Sequence, residues 1–258
     1  MIDLHTHILP GVDDGVDSLE EAAAVARDSV QQGVQKIVAT PHYLADGDNL
    51  SVDEIKERVQ ELQQYLNEQE IEIEILPGME IYLTQDLGRQ AKEGKLMGLN
   101  ESKYLLIELP MNNVPQHTEN VVHDLRVLGY KPVIAHPARY RKVMQNPNLV
   151  YEWITAGAIA QLNGGSLLGM FGSKIKETAE ILVEHNLVQI VGSDLHSNNR
   201  RKQCLEKLDH KLSDLESQIS YSKNAQAVIA SKDIEMGNLE RYEEEKTIMD
   251  KVKLALGF

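Results

Sequence analysis

Short apolar runs alternating with helix-length amphipathic segments constrain this chain more than any other feature. Strands are predicted near residues 1–4, 35–39, 71–76, 104–107, 132–135, 158–162 and 188–192. Helices are predicted near 18–32, 51–69, 84–93, 115–129, 147–156, 166–186 and 199–212, with one more over 224–231. Ser18-Leu19-Glu20-Glu21 and Ser51-Val52-Asp53-Glu54 read as capping boxes, in which the serine satisfies an orphan amide and the glutamate reaches back. Gly33, Gly129 and Gly157 stand where helix ends want a left-handed residue. Strands alternating with helices call for a parallel α/β sheet, and seven repeats call for its closure into a barrel.

No repeat, low-complexity tract or Pro/Gly-rich linker divides the chain, so one domain over 1–258 is expected. Beyond about residue 213 the alternation stops. Residues 232–258 are charge-rich, carry Glu243-Glu244-Glu245 and end in Lys-Val-Lys-Leu-Ala-Leu-Gly-Phe. They are expected to form a charged helical extension whose apolar stripe docks on the barrel, or on a second protomer or partner.

A chain of 258 residues, 42% hydrophobic, is long enough for one sizeable core. Its net charge of -14 argues against nucleic-acid or anionic-membrane partners, which reward Lys and Arg. The single cysteine, Cys204, leaves no internal disulfide and fits a reducing compartment. No apolar run reaches transmembrane length, and residues 1–10 lack a basic region followed by an apolar stretch. A cytoplasmic protein with no membrane insertion is expected.

Metal-binding residue types gather where the strands end. His5 and His7 follow the first strand, and alternation places both on one side of it. Thr40-Pro41-His42 follows the second, Pro77-Gly78-Met79-Glu80 the third. Glu108 ends the fourth, His136 the fifth, and Ser193-Asp194-Leu195-His196 the seventh, while the sixth gives Gln161-Leu162-Asn163-Gly164. Barrel active sites are built at the carboxyl ends of strands, so residues remote in sequence would share one rim. His117, His123, His185 and His210 show no such pattern. Mixed nitrogen and oxygen donors without Cys suit Mn, Fe or Zn. Together with one or both of Asp13 and Asp14, these donors exceed the needs of one ion and fit two or three. Such clusters activate water at neutral pH and stabilise in-line displacement at phosphorus. Arg139, Arg141, Arg200 and Arg201 lie just beyond ligand loops, and guanidinium groups grip phosphate oxygens bidentately; Arg139 and Arg201 are the nearest.

These motifs resemble the PHP (polymerase and histidinol phosphatase) superfamily: His-x-His at 5–7, Thr-Pro-His at 40–42, Gly-x-Glu at 78–80, Ala-His-Pro at 135–137 and Ser-Asp-x-His at 193–196. The stretch 2–15, Ile-Glu-Leu-Pro at 107–110 and Gly-Ser-Leu-Leu-Gly-Met-Phe-Gly at 165–172 are more specific. They resemble the bacterial manganese-dependent tyrosine-protein phosphatases encoded with capsular and exopolysaccharide genes. The resemblance covers roughly residues 1–230 and implies a distorted (β/α)7 barrel with a trinuclear metal site. It implies one ion on His5, His7, Glu80 and Asp194, a second on Glu80, Glu108 and His136, and a third on Asp14, His42 and His196. Arg139 and Arg201 would grip the phosphate. The family usually carries Pro-Glu-Arg after this histidine, whereas Ala138 stands here, which removes a carboxylate expected near the clamp.

The function implied is hydrolysis of phosphotyrosine on an autophosphorylating bacterial tyrosine kinase, by a route that needs no cysteine. The tyrosinate leaving group, with a pKa near ~10, departs with modest help from a metal or a protonated His42 or His196. A cysteine-dependent phosphatase would need Arg at the position where His210 follows Cys204. Rival readings are a histidinol-phosphate or other small-molecule phosphatase on the same metals, and an inactive metal-binding regulatory module. An exonuclease of the same superfamily is disfavoured by the acidic charge.

Overall fold

The computed structural model describes residues 1–243 except 45, 46, 48, 198–200 and 216. Nine strand segments lie in parallel: β1 (Ile2–Thr6), β2 (Lys36–Ala39), β3 (His42–Tyr43), β4 (Glu74–Pro77), β5 (Glu80–Tyr82), β6 (Tyr104–Glu108), β7 (Lys131–Ala135), β8 (Ile159–Asn163) and β9 (Ile190–Gly192). They behave as seven strands. β2 and β3 are one strand broken at Pro41, which has no amide to donate to the ladder. β4 and β5 are one strand broken at Gly78-Met79. A Cβ at Gly78 would lie 2.7 Å from Val38 Cγ1, so the close approach admits only glycine.

The lower half pairs in the order β1-β2-β4 and the upper half in the order β3-β5-β6-β7-β8-β9. The ring shuts where β9 returns to β1: Asp194 N donates to His5 O at 2.9 Å and His7 N to Leu195 O at 2.8 Å. This is the seven-stranded barrel that the alternation predicts, with the distortion that the resemblance implies. Alternate strand residues fill its interior, among them Leu4, Val38, Leu76, Leu106, Val133, Ile159 and Ile190. Their neighbours Ile37, Ile75, Leu105, Ile107, Ile134 and Leu162 face the surrounding helices in the main cluster.

The outer helices are α1 (Leu19–Gln31), α2 (Val52–Glu68), α3 (Leu87–Lys92), α4 (Thr118–Val127), α5 (Arg141–Gln145), α6 (Asn148–Thr155), α7 (Gly164–Leu167), α8 (Ser173–Glu184), α9 (Leu205–Asp214) and α10 (Tyr221–Ile229). Ser51 and Glu54 form the full reciprocal capping box of α2; at α1, Ser18 accepts from Glu21 N, but Glu21 reaches Asp17 N instead. Three expectations are corrected. The helix expected over 166–186 is two, because Gly169 (φ +77°) and Gly172 (φ +102°) turn the chain between α7 and α8. The helix expected from 199 starts at Leu205: Gln203 folds back to accept from Cys204 N and Leu205 N while donating to Asp3, which keeps residues 201–204 out of the helix. The expected C-terminal extension is not helical over its described part, residues 232–243; residues 244–258 lie outside the described residues.

Residues 232–243 instead run as a strap held by polar contacts. Tyr104 OH donates to Lys232 O at 2.5 Å, and Lys103 and Lys131 meet Asp233 at 2.9 and 2.8 Å. Asn186 donates to Asn238 O, and Asn148 exchanges two hydrogen bonds with the Tyr242 backbone. Under the strap, α10 places Ala225 and Val228 against the barrel interior. Asn224 on α10 is buried and donates to Gln189 O and Glu235 O while accepting from Glu235 N, each at 2.8 Å. Asn224→Ala leaves these backbone groups unsatisfied and is expected to cost about 2–3 kcal/mol of stability in urea unfolding, with the rim residues unaffected.

Candidate metal centre

The nine residues singled out as ligands meet at one end of the barrel. β1 delivers His5 and His7; its register against β2 shifts between Asp3 and Thr6, next to interior Leu4, so both imidazoles reach the rim. β3 carries His42 opposite Glu80 of β5. The strand breaks at Pro41 and Gly78 precede these two residues and turn both inward. Glu108 ends β6, His136 follows β7, and Asp194 and His196 follow β9. His136 (φ 34°) and Asp194 (φ 54°) hold left-handed backbone conformations that non-glycine residues seldom adopt. Strain of this kind collects where a site dictates direction.

Glu80 is the meeting point. Its Oε2 lies 3.2 Å from His5 Nε2, 3.3 Å from His7 Nε2 and 3.2 Å from His42 Nδ1, and its Oε1 lies 2.9 Å from His136 Nε2. Three groupings have donor atoms close enough to hold an ion: His5, His7 and Glu80; His42, Glu80 and Glu108; and His7, Asp14, His42 and His196. Asp194 Oδ1 stands 3.7 and 3.6 Å from His5 and His7, beside the first. His136 stands beside the second, 3.7 Å from Glu108. The second and third groupings therefore draw in His42 and His7 beyond the partition that the resemblance implies.

Two buried nitrogens, His136 Nδ1 and His196 Nε2, have no hydrogen-bond partner among the described residues. His196 Nε2 lies 3.2 Å from Asp14 Oδ1 without hydrogen-bond alignment, an arrangement that suits two donors facing a cation. The oxygen and imidazole set fits hard or borderline divalent ions.

Charge and burial compete in every group. Burial opposes charge on His5, but Glu80 and Asp194 outweigh it and raise its pKa. Burial likewise opposes charge on Glu80, yet His5 and the hydrogen bond to His136 hold it well below the usual carboxylate range. Desolvation lowers His136 to about 4, so the ring is neutral and free to coordinate. Asp194 is held down at about 2, against burial, by His5, His136 and Arg201. Glu108 is pushed up to about 7 by burial and by Glu80.

Arg139 Nη1 donates to Asp194 Oδ2 at 2.8 Å, and Arg201 Nη1 reaches both Asp194 oxygens at 2.9 and 2.8 Å. Phe171 backs Arg139, with the guanidinium carbon 5.0 Å from the ring centroid. Ala138 is fully buried in the main apolar cluster. Arg139 keeps its hold on Asp194. An open cleft of about 580 Å³ is lined by Asp14, His42, Glu80, Glu108, His136, Arg139 and Arg201, among others.

Sequence reasoning underrated the residues that orient these donors. Asp13 accepts from His7 Nδ1 at 2.7 Å and from His42 N at 3.1 Å, which turns His7 Nε2 toward the cluster. Gln161 Oε1 lies 3.2 Å from His5 Nδ1 and accepts from His136 N; Asn163 donates to Asp194 at 2.6 Å. The sixth strand thus supplies amides that orient ligands. The signal was there: two buried-type strand positions carried amides in place of apolar residues. Asp3, fully buried, accepts from Ser193 N and Oγ and so anchors the 193–196 turn.

Comparisons with known proteins identify the family. Residues 1–230 match the model of the family described as capsular polysaccharide synthesis, CpsB/CapC. The chain is 39% identical over 201 residues to the tyrosine-protein phosphatase YwqE of Bacillus subtilis, covering 78% of this chain and 79% of that protein. It is 35% identical to the putative tyrosine-protein phosphatase CapC of Staphylococcus aureus, covering 91% and 93%. A crystal structure from work on YwqE and Streptococcus pneumoniae CpsB, described as unique metal-dependent tyrosine phosphatases, superposes with a TM-score of 0.90 at 33% identity, covering 95% of this chain and all of that one. A phosphotriesterase homology protein of Escherichia coli shares the fold alone, with a TM-score of 0.53 at 10% identity.

Two outcomes are expected at this centre. Asp13→Ala removes no proposed ligand but frees the His7 ring, and should weaken divalent-ion affinity roughly tenfold or more in titration calorimetry. Glu108 binds a proton below about pH 7, so ion binding should release protons and weaken as pH falls from 8 to 6. On the family match over residues 1–230 and the identity to these relatives, the chain belongs to the CpsB/CapC family.

Proposed function

We propose that this chain is a metal-dependent protein-tyrosine phosphatase, acting on phosphotyrosine of a bacterial tyrosine kinase and thereby regulating capsular or exopolysaccharide synthesis. The observation that carries the reading is the pair of guanidinium groups, Arg139 and Arg201, joined on Asp194 at the mouth of a cleft whose floor is the cluster around Glu80. The relatives' names supply the substrate class and the family supplies the link to polysaccharide synthesis. Manganese is the proposed metal, as two or three ions on His5, His7, Asp14, His42, Glu80, Glu108, His136, Asp194 and His196.

Divalent ions held by these donors would lower the pKa of water and polarise the phosphoryl oxygens. The chain's own residues do the rest. Arg139 and Arg201 can each offer a bidentate fork to the equatorial phosphate oxygens as negative charge builds. Phe171 keeps the Arg139 fork from folding away. His42, 22% exposed on the cleft wall, is better placed than buried His196 to pass a proton to the departing tyrosinate. Cys204 is no nucleophile: it is buried, and desolvation with nearby Asp3 and Asp194 pushes its thiol up to about 12. No helix among the described residues is long and apolar enough to cross a membrane; the place of action proposed with the kinase substrate is the cytoplasm.

The test is hydrolysis of a phosphotyrosine peptide, a phosphoserine peptide and histidinol phosphate by protein loaded with Mn. Phosphotyrosine should turn over fastest, chelation should abolish turnover, and His136→Ala should lose at least a hundredfold. Faster histidinol phosphate hydrolysis would establish the small-molecule reading instead. Absence of any turnover with the metals bound would establish a regulatory module.

A further inference from the structure

The cleft is larger and less polar than a phosphate clamp needs. Its lining joins Arg139 and Arg201 and the rim residues His42, Glu80, Glu108 and His136 to Val12, Leu44 and Tyr82, among others. Apolar side chains neither hold ions nor bind phosphate, and here they interrupt a ring of charge.

Leu44 is 44% exposed, one of the few large apolar side chains on the described surface. It is also fixed in place. Asn49 Oδ1 accepts from Leu44 N and Asn49 Nδ2 donates to Leu44 O, both at 2.6 Å, so one side chain holds the backbone on both sides of the Leu44 Cα. Tyr82 sits two residues after Glu80 on β5, on the same strand face, and lies in register with Glu108 of β6. It is half-buried, and among the described residues its hydroxyl makes no hydrogen bond. The strand that delivers the central carboxylate therefore also delivers an aromatic ring to the same cavity.

We infer that Leu44 and Tyr82, with Val12, form an aryl subsite: the wall against which the leaving group's phenyl ring lies while its phosphate is held between Arg139 and Arg201. This rests on the phosphatase reading above and supplies its selectivity for tyrosine. A seryl phosphate would leave the wall facing water, whereas an aryl phosphate covers it. Burial of even part of a phenyl ring gives roughly a tenfold advantage in binding.

The probes are methylphosphonate and phenylphosphonate, compared as competitive inhibitors of the metal-loaded protein so that binding is read apart from turnover. The wild type should bind phenylphosphonate roughly tenfold more tightly. Leu44→Ser and Tyr82→Ser should each cut that ratio severalfold, their combination should bring it near one, and Tyr82→Phe should retain it. Bound metal, measured in parallel, should not change. Equal binding of the two probes by the wild type, or a ratio untouched in the double variant, overturns the subsite. Because Leu44 is exposed, Leu44→Ser tests the idea even if the Tyr82 variants fold poorly. A protein that prefers phenylphosphonate but hydrolyses no phosphotyrosine keeps the subsite and refutes the phosphatase reading.

Discussion

Glu80 lies 1% exposed beneath four imidazoles drawn from three other strand ends. A carboxylate so buried is costly without compensation, because burial disfavours its charge. Here the compensation comes from His5, from the hydrogen bond to His136 and from His7, which hold it ionised. The rest of the rim is arranged around that balance. The second and third strands break just before His42 and Glu80, the backbone is forced left-handed at His136 and Asp194, and Asp13 and Gln161 tie down the far side of imidazole rings. Divalent cations at the same point would replace imidazolium charge with metal charge and leave the imidazoles neutral as ligands.

The fold follows from the same requirement. A parallel barrel gathers one end of every strand into a small area, and helices on the outside bury what the strands leave uncovered. Closure depends on backbone bonds between β9 and β1 that also fix His5, His7 and Asp194. Assembly of the barrel and assembly of the site are thus one event. Asp3 links them further, since it anchors the turn carrying Asp194 and His196 from within the first strand.

Much of this was legible in the chain. Apolar runs placed all seven strands, and the residues at their exits named the rim, because a parallel barrel converts sequence position into spatial neighbourhood without further information. What escaped was of another kind. The break inside the third strand goes with one close contact, Gly78 against Val38, that no periodicity reports, while the second strand breaks at Pro41. The division of the helix expected over 166–186 was written in Gly169 and Gly172 but masked by the apolar pattern on either side. The strap over 232–243 carries charges that resemble a solvated helix; its conformation is set by Asn224 on the preceding helix and by Lys103 and Asn148, both remote in sequence. Asp13 and Asp14 are adjacent and chemically alike. The resemblance already implies Asp14 beside His42 and His196; the fold adds that Asp13 holds the His7 ring.

The claim that Glu80 joins the groupings into one multinuclear centre is tested most directly by counting ions. Metal content per chain, measured by plasma mass spectrometry after equilibration with excess Mn, should be two or three for the wild type. For Glu80→Gln it should fall by more than one ion, since the bridging oxygen serves two groupings at once. A loss of one ion or none would contradict the account and show the groupings to be independent sites.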